Sequence, residues 1–264
     1  WAVTCVALNP ANKDVMAAGY EDGSIRLWSI TGRNVLVQFN GHKTAVTCLQ
    51  FDVHNMRLAS GGRDSDIVIW DLVLETGLMR LQGHTGGITA LRFLLEGTFL
   101  ISAARDTLVK AWDVAAQHAV ETVTAHRAEV ADVVLSADER VMLSVGADTT
   151  IRVFSINHTL LPELIKPDSR MQVEGQTAIS MIGEVQRNTR ERALQAALTP
   201  DHQALVILAA DRSVELFEIR GREEAKAKLR KKKRQQDAAV ELSSADLFKP
   251  RRVFRSTNKA HSFD

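Results

Sequence analysis

The stretch GGRDSDIVIWDLV, residues 61–73, decides the fold because it joins a tight turn to a strongly strand-forming run. Gly, Asp and Ser are turn residues, and the β-branched and aromatic residues that follow are typical of a strand. A second stretch of the same form, AARDTLVKAWDV, occupies residues 103–114. The two copies lie 42 positions apart, which predicts an internal repeat.

Four kinds of residue keep this interval of 42 along the chain. The repeated histidines and serines are His42, His84 and His126, and Ser60, Ser102 and Ser144. The repeated aspartates and aromatic residues are Asp22, Asp64, Asp106 and Asp148, and Trp28, Trp70, Trp112 and Phe154. The period falls within the range of about 40 to 45 residues that is typical of WD repeats, each of which builds a four-stranded propeller blade.

A fifth unit is degenerate. Asp211 precedes Phe217 by the same six residues that separate Asp64 from Trp70, but it follows Asp148 by 63 residues instead of 42. We expect the additional residues to form a loop insertion at about 157–190, since a blade core cannot absorb them. The sequence therefore predicts an all-β propeller with about five blades over residues 1–220, either a partial propeller or part of a seven-bladed ring that residues outside 1–264 complete.

The repeated polar residues predict a buried hydrogen-bonded network in each complete blade. The turn aspartate can accept from the imidazole, and the serine hydroxyl can accept the indole N–H while it donates to the imidazole. We expect this chain in the blades of Trp70 and Trp112, and a shorter one beside Phe154, which has no donor. In the first repeat, Asp22 and Trp28 occupy the corresponding positions. Each link contributes about 1 kcal/mol, and stranding a buried partner costs roughly 1–3 kcal/mol.

The same residues also have the composition of a catalytic triad, for example Ser102, His84 and Asp106. A catalytic serine needs an accessible oxygen beside an oxyanion hole. These serines instead lie within predicted strands and recur from repeat to repeat, so we interpret them as structural and expect no enzymatic activity. The histidines lack the spacing of zinc ligands, and we expect neither a metal nor another cofactor.

The overall composition is ordinary for a globular protein, with 45% apolar residues, 25% charged residues and a net charge of +1. Cys5 and Cys48 lie in apolar, strand-like runs and are expected to be reduced core thiols. No apolar run reaches the roughly 18 residues of a membrane span. We therefore expect no membrane partner and no small-molecule substrate.

One segment is strongly basic: RGREEAKAKLRKKKR, residues 220–234, has nine Lys or Arg against two Glu. Its residues favour a helix, and we expect a basic helical linker over 221–264 that leads to a following propeller. The densest run is Arg230, Lys231, Lys232, Lys233 and Arg234. It is a candidate for nuclear targeting or for contact with RNA phosphates, and a solvated linker without either role is the alternative.

The repeats resemble those of the WD40 family, in which Gly-His, a turn Asp and a final Trp-Asp recur, and the resemblance covers about residues 1–220. A narrower resemblance is to the tandem-propeller WD-repeat subunit of the UTP-B subcomplex, part of the small-subunit processome, known as the WD repeat protein three family. It is carried by residues 61–73, 77–94 and 100–114. The ending HSFD, 261–264, is also similar to that family's passage between its two propellers.

The narrower resemblance implies a non-catalytic scaffold of the nucleus and nucleolus. Such a scaffold helps to organise pre-rRNA and the U3 small nucleolar RNP for 18S rRNA maturation, with other WD-repeat proteins of a large complex as partners. The alternative is a peptide-recognition adaptor, such as a ubiquitin-ligase substrate receptor, with a pocket on the narrow face of the propeller. Arg63 and Arg105, each just before a turn aspartate, are the candidate residues of that pocket.

Overall fold

The computed structural model describes residues 1–165, 176–219 and 248–255, whose regular secondary structure is almost entirely β-strand. Twenty strands in these ranges form five antiparallel sheets of four, each hydrogen-bonded in sequence order. The predicted all-β propeller is therefore confirmed, with five blades in the described residues. No helix in these ranges is long and apolar enough to cross a membrane.

Each blade runs from an inner strand to an outer strand. The first contains β1 (Val3–Leu8), β2 (Val15–Tyr20), β3 (Ser24–Ser29) and β4 (Asn34–Asn40). The second contains β5 (Val46–Phe51), β6 (Arg57–Gly62), β7 (Ile67–Asp71) and β8 (Thr76–Leu81). The third contains β9 (Ile88–Leu94), β10 (Phe99–Ala104), β11 (Leu108–Asp113) and β12 (His118–Thr124).

The last two blades carry the longer connections. The fourth contains β13 (Val130–Leu135), β14 (Val141–Gly146), β15 (Thr150–Ile156) and β16 (Ile179–Gln186), with the short helix α1 (Leu160–Glu163) before β16. The fifth contains β17 (Ala193–Leu198), β18 (Ala204–Ala209), β19 (Ser213–Ile219) and β20 (Phe248–Arg255). In all five blades, the pairing of the third strand with the outer strand shifts register just before the repeated aromatic position.

The hydrophobic core is divided among the spaces between neighbouring blades. Four clusters of buried residues each join one blade to the next. Between the first two blades, the rings of Phe39 and Trp70 lie 5.0 Å apart. Between the last two, Phe217 is fully buried with Leu143 and Val153. A single blade cannot bury both of its faces, so adjacent blades stabilise each other.

The expected loop insertion at 157–190 is wrong in its later part. Strand β16 lies inside that range and pairs with β15 along its whole length. The reason is that the open edge of β15 needs a partner, and Ile179 and Val185 bury their side chains on the blade. The insertion is therefore confined to the connection before β16, of which residues 166–175 lie outside the described part.

The expected helical linker over 221–264 is also wrong in part, because β20 is the outer strand of the fifth blade and pairs with β19. Pro250, which has no N–H, is tolerated there because β20 lies at the edge of its sheet. The basic segment therefore belongs to a connection between two paired strands of one blade. That whole connection, 220–247, and residues 256–264 lie outside the described part.

In four of the five blades, the residue directly after the repeated aspartate has a positive φ. Gly23, Ser65, Thr107 and Arg212 have φ values of 85°, 63°, 72° and 63°. Glycine adopts this left-handed conformation readily, whereas a β-branched residue such as Thr107 does so at a cost. The turn is thus set by the repeat and not by the preference of each residue.

Candidate functional site

The third blade shows how the repeated polar residues are arranged. The indole Nε1 of Trp112 donates to Oγ of Ser102 over 2.7 Å, and the same Oγ lies 2.7 Å from Nε2 of His84. Nδ1 of His84 lies 2.7 Å from a carboxylate oxygen of Asp106. A neutral imidazole protonated at Nδ1 satisfies every link. The second blade joins Trp70, Ser60, His42 and Asp64 in the same order.

Burial and hydrogen bonding fix the charge states in these two networks. Burial lowers the pKa of His42 and of His84, although the neighbouring aspartates oppose this effect. For Asp64, burial alone would raise the pKa, but the N–H of Lys43 and the imidazole of His42 outweigh it and lower the pKa. The network therefore favours a neutral histidine beside an ionised aspartate.

The three serines of these networks are inaccessible to a substrate. Ser60, Ser102 and Ser144 are each 0% exposed, and the Oγ of each contacts a buried histidine. A serine nucleophile must present its oxygen to a reacting carbonyl beside an oxyanion hole. This arrangement provides no such access, so the Ser-His-Asp geometry here has a structural role.

The fourth and first blades carry reduced forms of the network. His126 contacts Ser144 at 2.7 Å and Asp148 at 2.8 Å, but the aromatic position is the fully buried Phe154, which donates nothing.

In the first blade, Trp28 donates instead to the hydroxyl of Tyr20 over 3.1 Å. The guanidinium of Arg26 lies 4.6 Å from the centroid of that tyrosine ring. The turn carboxylate of Asp22 accepts from the N–H and hydroxyl of Ser24. Tyrosine thus takes over the acceptor function that serine has in the second and third blades.

The fifth blade replaces the network with an ion pair that the sequence reasoning missed. Arg187 and Glu215 have side chains that are 0% exposed and lie 2.8 Å apart. Thr189 stands 22 residues before Asp211, the interval that separates His42 from Asp64, and it donates to Glu215. The sequence signal that could have revealed this pair is the 22-residue interval from Thr189 to Asp211, together with a charged residue just before it, Arg187, and one just after it, Glu215.

A second charged pair crosses between blades along the inner strands. Arg92 of β9 donates to Asp132 of β13 over 3.1 Å, and the other carboxylate oxygen of Asp132 accepts the N–H of Ala196 in β17. Burial raises the pKa of Asp132, while Arg92 and the N–H groups oppose that rise. One buried carboxylate therefore ties three consecutive blades together.

The inner strands also carry both cysteines, which are free thiols. Burial raises the pKa of Cys5 to about 11 and that of Cys48 to about 12. Since the thiolate is the reactive form, neither is a nucleophile at neutral pH. Among the residues that the structure describes, no three His, Cys, Asp or Glu side chains are grouped as metal ligands.

The inner strands line a central channel, and Arg63 and Arg105 lie at its mouth on the face that carries the aspartate turns. Both border a cavity of about 330 Å³. Nε of Arg105 lies 4.0 Å from Glu129, and both of these side chains are half exposed. Arg192, which the sequence reasoning did not single out, borders an adjoining cavity of about 140 Å³ with Arg105 and Glu129. The basic run 230–234 lies outside the described residues.

Five four-stranded blades, with a Trp–Ser–His–Asp network in two of them and shortened forms in two others, define a WD-repeat β-propeller. Comparison with known families narrows this class. The model described as the WDR3 first beta-propeller domain matches residues 1–156, more than half of the chain, and the chain belongs to this family.

A short stretch is also similar to a curated yeast protein. Over 45 residues the chain is 51% identical to the U3 small nucleolar RNA-associated protein 12 of Saccharomyces cerevisiae. The match covers 17% of this chain and 5% of the yeast protein. The two sequences are therefore closely similar, but only over this short stretch.

Proposed function

We propose that the protein is a non-catalytic scaffold of the small-subunit processome that organises pre-rRNA and the U3 small nucleolar RNP for 18S rRNA maturation in the nucleolus. The observation that carries this proposal is membership of the WDR3 first-propeller family over residues 1–156. The likeness to a yeast protein that is named for its association with U3 RNA supports it. Other WD-repeat proteins of the same complex are the expected protein partners.

The geometry of the blades supports a scaffold role. The repeated histidines and serines are buried in networks within the second, third and fourth blades, so they stabilise the fold and leave the loops and outer strands for docking. In the described residues these buried networks are consistent with stabilising the blades and not with binding a substrate, because their serines are inaccessible.

The test is to tag the full-length protein in cells, follow its location and precipitate it for RNA analysis. We expect nucleolar localisation, enrichment of U3 RNA, and accumulation of 18S rRNA precursors when the protein is depleted. A cytosolic protein at steady state that enriches no U3 RNA would contradict the proposal. Re-expression of the unmodified protein is the control, because it must restore precursor processing.

We further propose that the basic run Arg230–Arg234 contacts RNA phosphates or directs nuclear import. Lysine and arginine suffice for phosphate contacts that do not depend on sequence. A variant with all five residues changed to Gln, tested with and without an added nuclear targeting signal, separates the two roles. Loss of import that the added signal restores indicates targeting, whereas loss of RNA crosslinking despite import indicates contact. If both are unchanged, the run is a solvated connection.

A further inference from the structure

The mouth of the channel brings together three arginines from three blades. Arg63 follows β6 and Arg105 follows β10, and the N–H of each is fixed by a hydrogen bond to a carbonyl of the preceding loop. Arg192 immediately precedes β17. Arg63 and Arg105 border one cavity, and Arg105 and Arg192 border the next. Arg105 borders both cavities, so the three arginines line two adjoining cavities at the channel mouth.

The charge of these arginines is largely uncompensated. The side chains of Arg63 and Arg192 form no hydrogen bond or ion pair with any residue that the structure describes. Arg105 approaches Glu129 only to 4.0 Å, and an exposed pair at that distance is weak because water screens it. Among the residues that border the two cavities, three arginines accompany one carboxylate, that of Glu129, so the lining is net positive. Glu21 holds the equivalent turn position in the first blade and borders neither cavity.

Below the arginines, one hydroxyl has no partner. Thr4 and Thr47, at equivalent positions of β1 and β5, donate from Oγ1 to the carbonyls of Val46 and Ile88 in the next blade, each over 2.5 Å. Thr89 occupies the same position in β9, yet its Oγ1 is buried without a hydrogen bond. It borders both cavities at the mouth. A buried hydroxyl without a partner costs free energy, and an acceptor bound in the cavity would recover it once rotation about χ1 turns Oγ1 of Thr89 towards the cavities that the residue borders.

The size and lining of the mouth favour a peptide side chain over a nucleic acid. Cavities of about 330 and 140 Å³ admit one side chain and its flanking backbone. No aromatic residue lines either cavity, although single-stranded RNA is bound largely by stacking on aromatic rings. The basic segment from 220 is attached where β19 ends, at the opposite end of the fifth blade from the turn of Asp211.

We propose that the channel mouth formed by Arg63, Arg105 and Arg192 binds the carboxylate side chain of an acidic peptide segment in a partner protein, with Thr89 donating an additional hydrogen bond. Arginine recognises carboxylates well because its planar fork donates two parallel hydrogen bonds. This proposal goes beyond the scaffold role, because it names the chemical group that the site binds. It does not depend on which complex the protein joins.

The experiment measures binding of labelled peptides to the purified 264-residue protein by fluorescence anisotropy. The probe is a ten-residue Gly/Ser peptide with three central Glu, and the comparison peptides carry Gln or phosphoserine at the same positions. We expect the Glu peptide to bind and the Gln peptide to bind at least about tenfold more weakly, as for hydrogen bonds to charged groups. Equal binding of the Glu and Gln peptides, or binding of the phosphoserine peptide alone, would overturn the carboxylate assignment.

Single variants assign the site. Arg63→Ala and Arg192→Ala are each expected to weaken binding of the Glu peptide about tenfold, and Thr89→Val severalfold. Arg212→Ala is the matched control, because Arg212 is exposed on the same face without lining either cavity. Its Kd should stay unchanged, and a thermal melt of every variant checks folding.

A single-stranded RNA twelve-mer is the competing ligand. If it binds and the same arginine variants abolish its binding while the Glu peptide does not bind, the mouth is an RNA site and the proposal is wrong. If neither ligand binds to the folded protein, the proposal is also wrong. Either result leaves the scaffold proposal standing, because that depends on U3 enrichment in cells and not on this affinity.

Discussion

Arg187 donates two hydrogen bonds, from Nε and Nη2, to one carboxylate oxygen of Glu215, and neither side chain is exposed to solvent. The other oxygen of Glu215 accepts the N–H of Asn188, and Nη1 of Arg187 donates to the carbonyl of Glu191. Thr189 donates its hydroxyl to the same carboxylate. Every charged nitrogen and oxygen of the pair therefore has a hydrogen-bond partner. A buried ion pair stabilises the fifth blade at the place where hydrogen-bonded neutral imidazoles stabilise the second and third.

Removing one member of this pair should destabilise the protein strongly. We expect Arg187→Met to lower the free energy of unfolding by roughly 3–5 kcal/mol, because it leaves a buried carboxylate without its counter-ion. The double variant Arg187→Met/Glu215→Leu should lose less than the single variant, since the buried charge is gone. Urea denaturation followed by circular dichroism measures both. A double variant less stable than Arg187→Met would contradict this account.

The serine networks of the third and fourth blades differ by one donor, which gives a matched comparison. Ser102→Ala strands both the indole N–H of Trp112 and Nε2 of His84, so we expect a loss of roughly 2–4 kcal/mol. Ser144→Ala strands only the imidazole, so the expected loss is roughly 1–3 kcal/mol.

Converting the third blade into the pattern of the fourth tests the cause of that difference. In a Trp112→Phe background the indole donor is absent, and Ser102→Ala should then cost no more than Ser144→Ala does in the unmodified protein. Urea midpoints of the four variants provide the comparison. If Ser102→Ala remains as costly without the indole, the Trp–Ser hydrogen bond is not the source of the difference.

Stability should fall as the pH is lowered below neutrality. The folded blades hold His42 and His84 at a lowered pKa, whereas in the unfolded chain these groups titrate near about 6.5. Below that pH the unfolded chain binds more protons, so stability that is complete above it is lost as the pH falls. The lowered pKa values of Asp64 and Asp106 add a second loss below about pH 4.

Thermal melts between pH 7.5 and pH 5 check the first part of this loss. We expect Tm to decrease across the interval in the unmodified protein. In the variant His42→Gln/His84→Gln, which is less stable throughout, the decrease should be smaller because the titrating groups are gone. A Tm that rises towards pH 5 would show that the histidines are charged, and not neutral, inside the folded blades.

The 42-residue interval made most of the blade architecture predictable, because each blade repeats the same residues at the same positions. The outer strands β16 and β20 were not predicted. They carry none of the repeated residues, and long connections separate them from β15 and β19, so only the open edges of those strands identify them. The local composition predicted a helical linker instead of a strand, because a dense basic run of helix-favouring residues precedes Phe248–Arg255.

The candidate site was only partly predictable for a related reason. Arg63 and Arg105 stand at a fixed position of the repeat and were found from the sequence. Arg192 and Thr89 reach the same mouth from other strands, and no spacing relates them to the first two. The lone hydroxyl of Thr89 is distinguished from Thr47 only by the missing hydrogen bond, which the coordinates alone reveal.

The strained turn of the third blade offers a way to stabilise the protein. Thr107 has a φ of 72°, a conformation that costs a β-branched residue roughly 1–2 kcal/mol, whereas glycine adopts it freely. Glycine makes the unfolded chain more flexible, which destabilises the folded protein by about 0.5–1 kcal/mol. We therefore expect Thr107→Gly to raise the free energy of unfolding by up to about 1 kcal/mol. Thr149 occupies the same position in the fourth blade without a positive φ, and Thr149→Gly should therefore destabilise. Urea denaturation measures the free energy of unfolding of both variants. If Thr107→Gly and Thr149→Gly change it in the same direction, the turn conformation does not determine the effect of glycine.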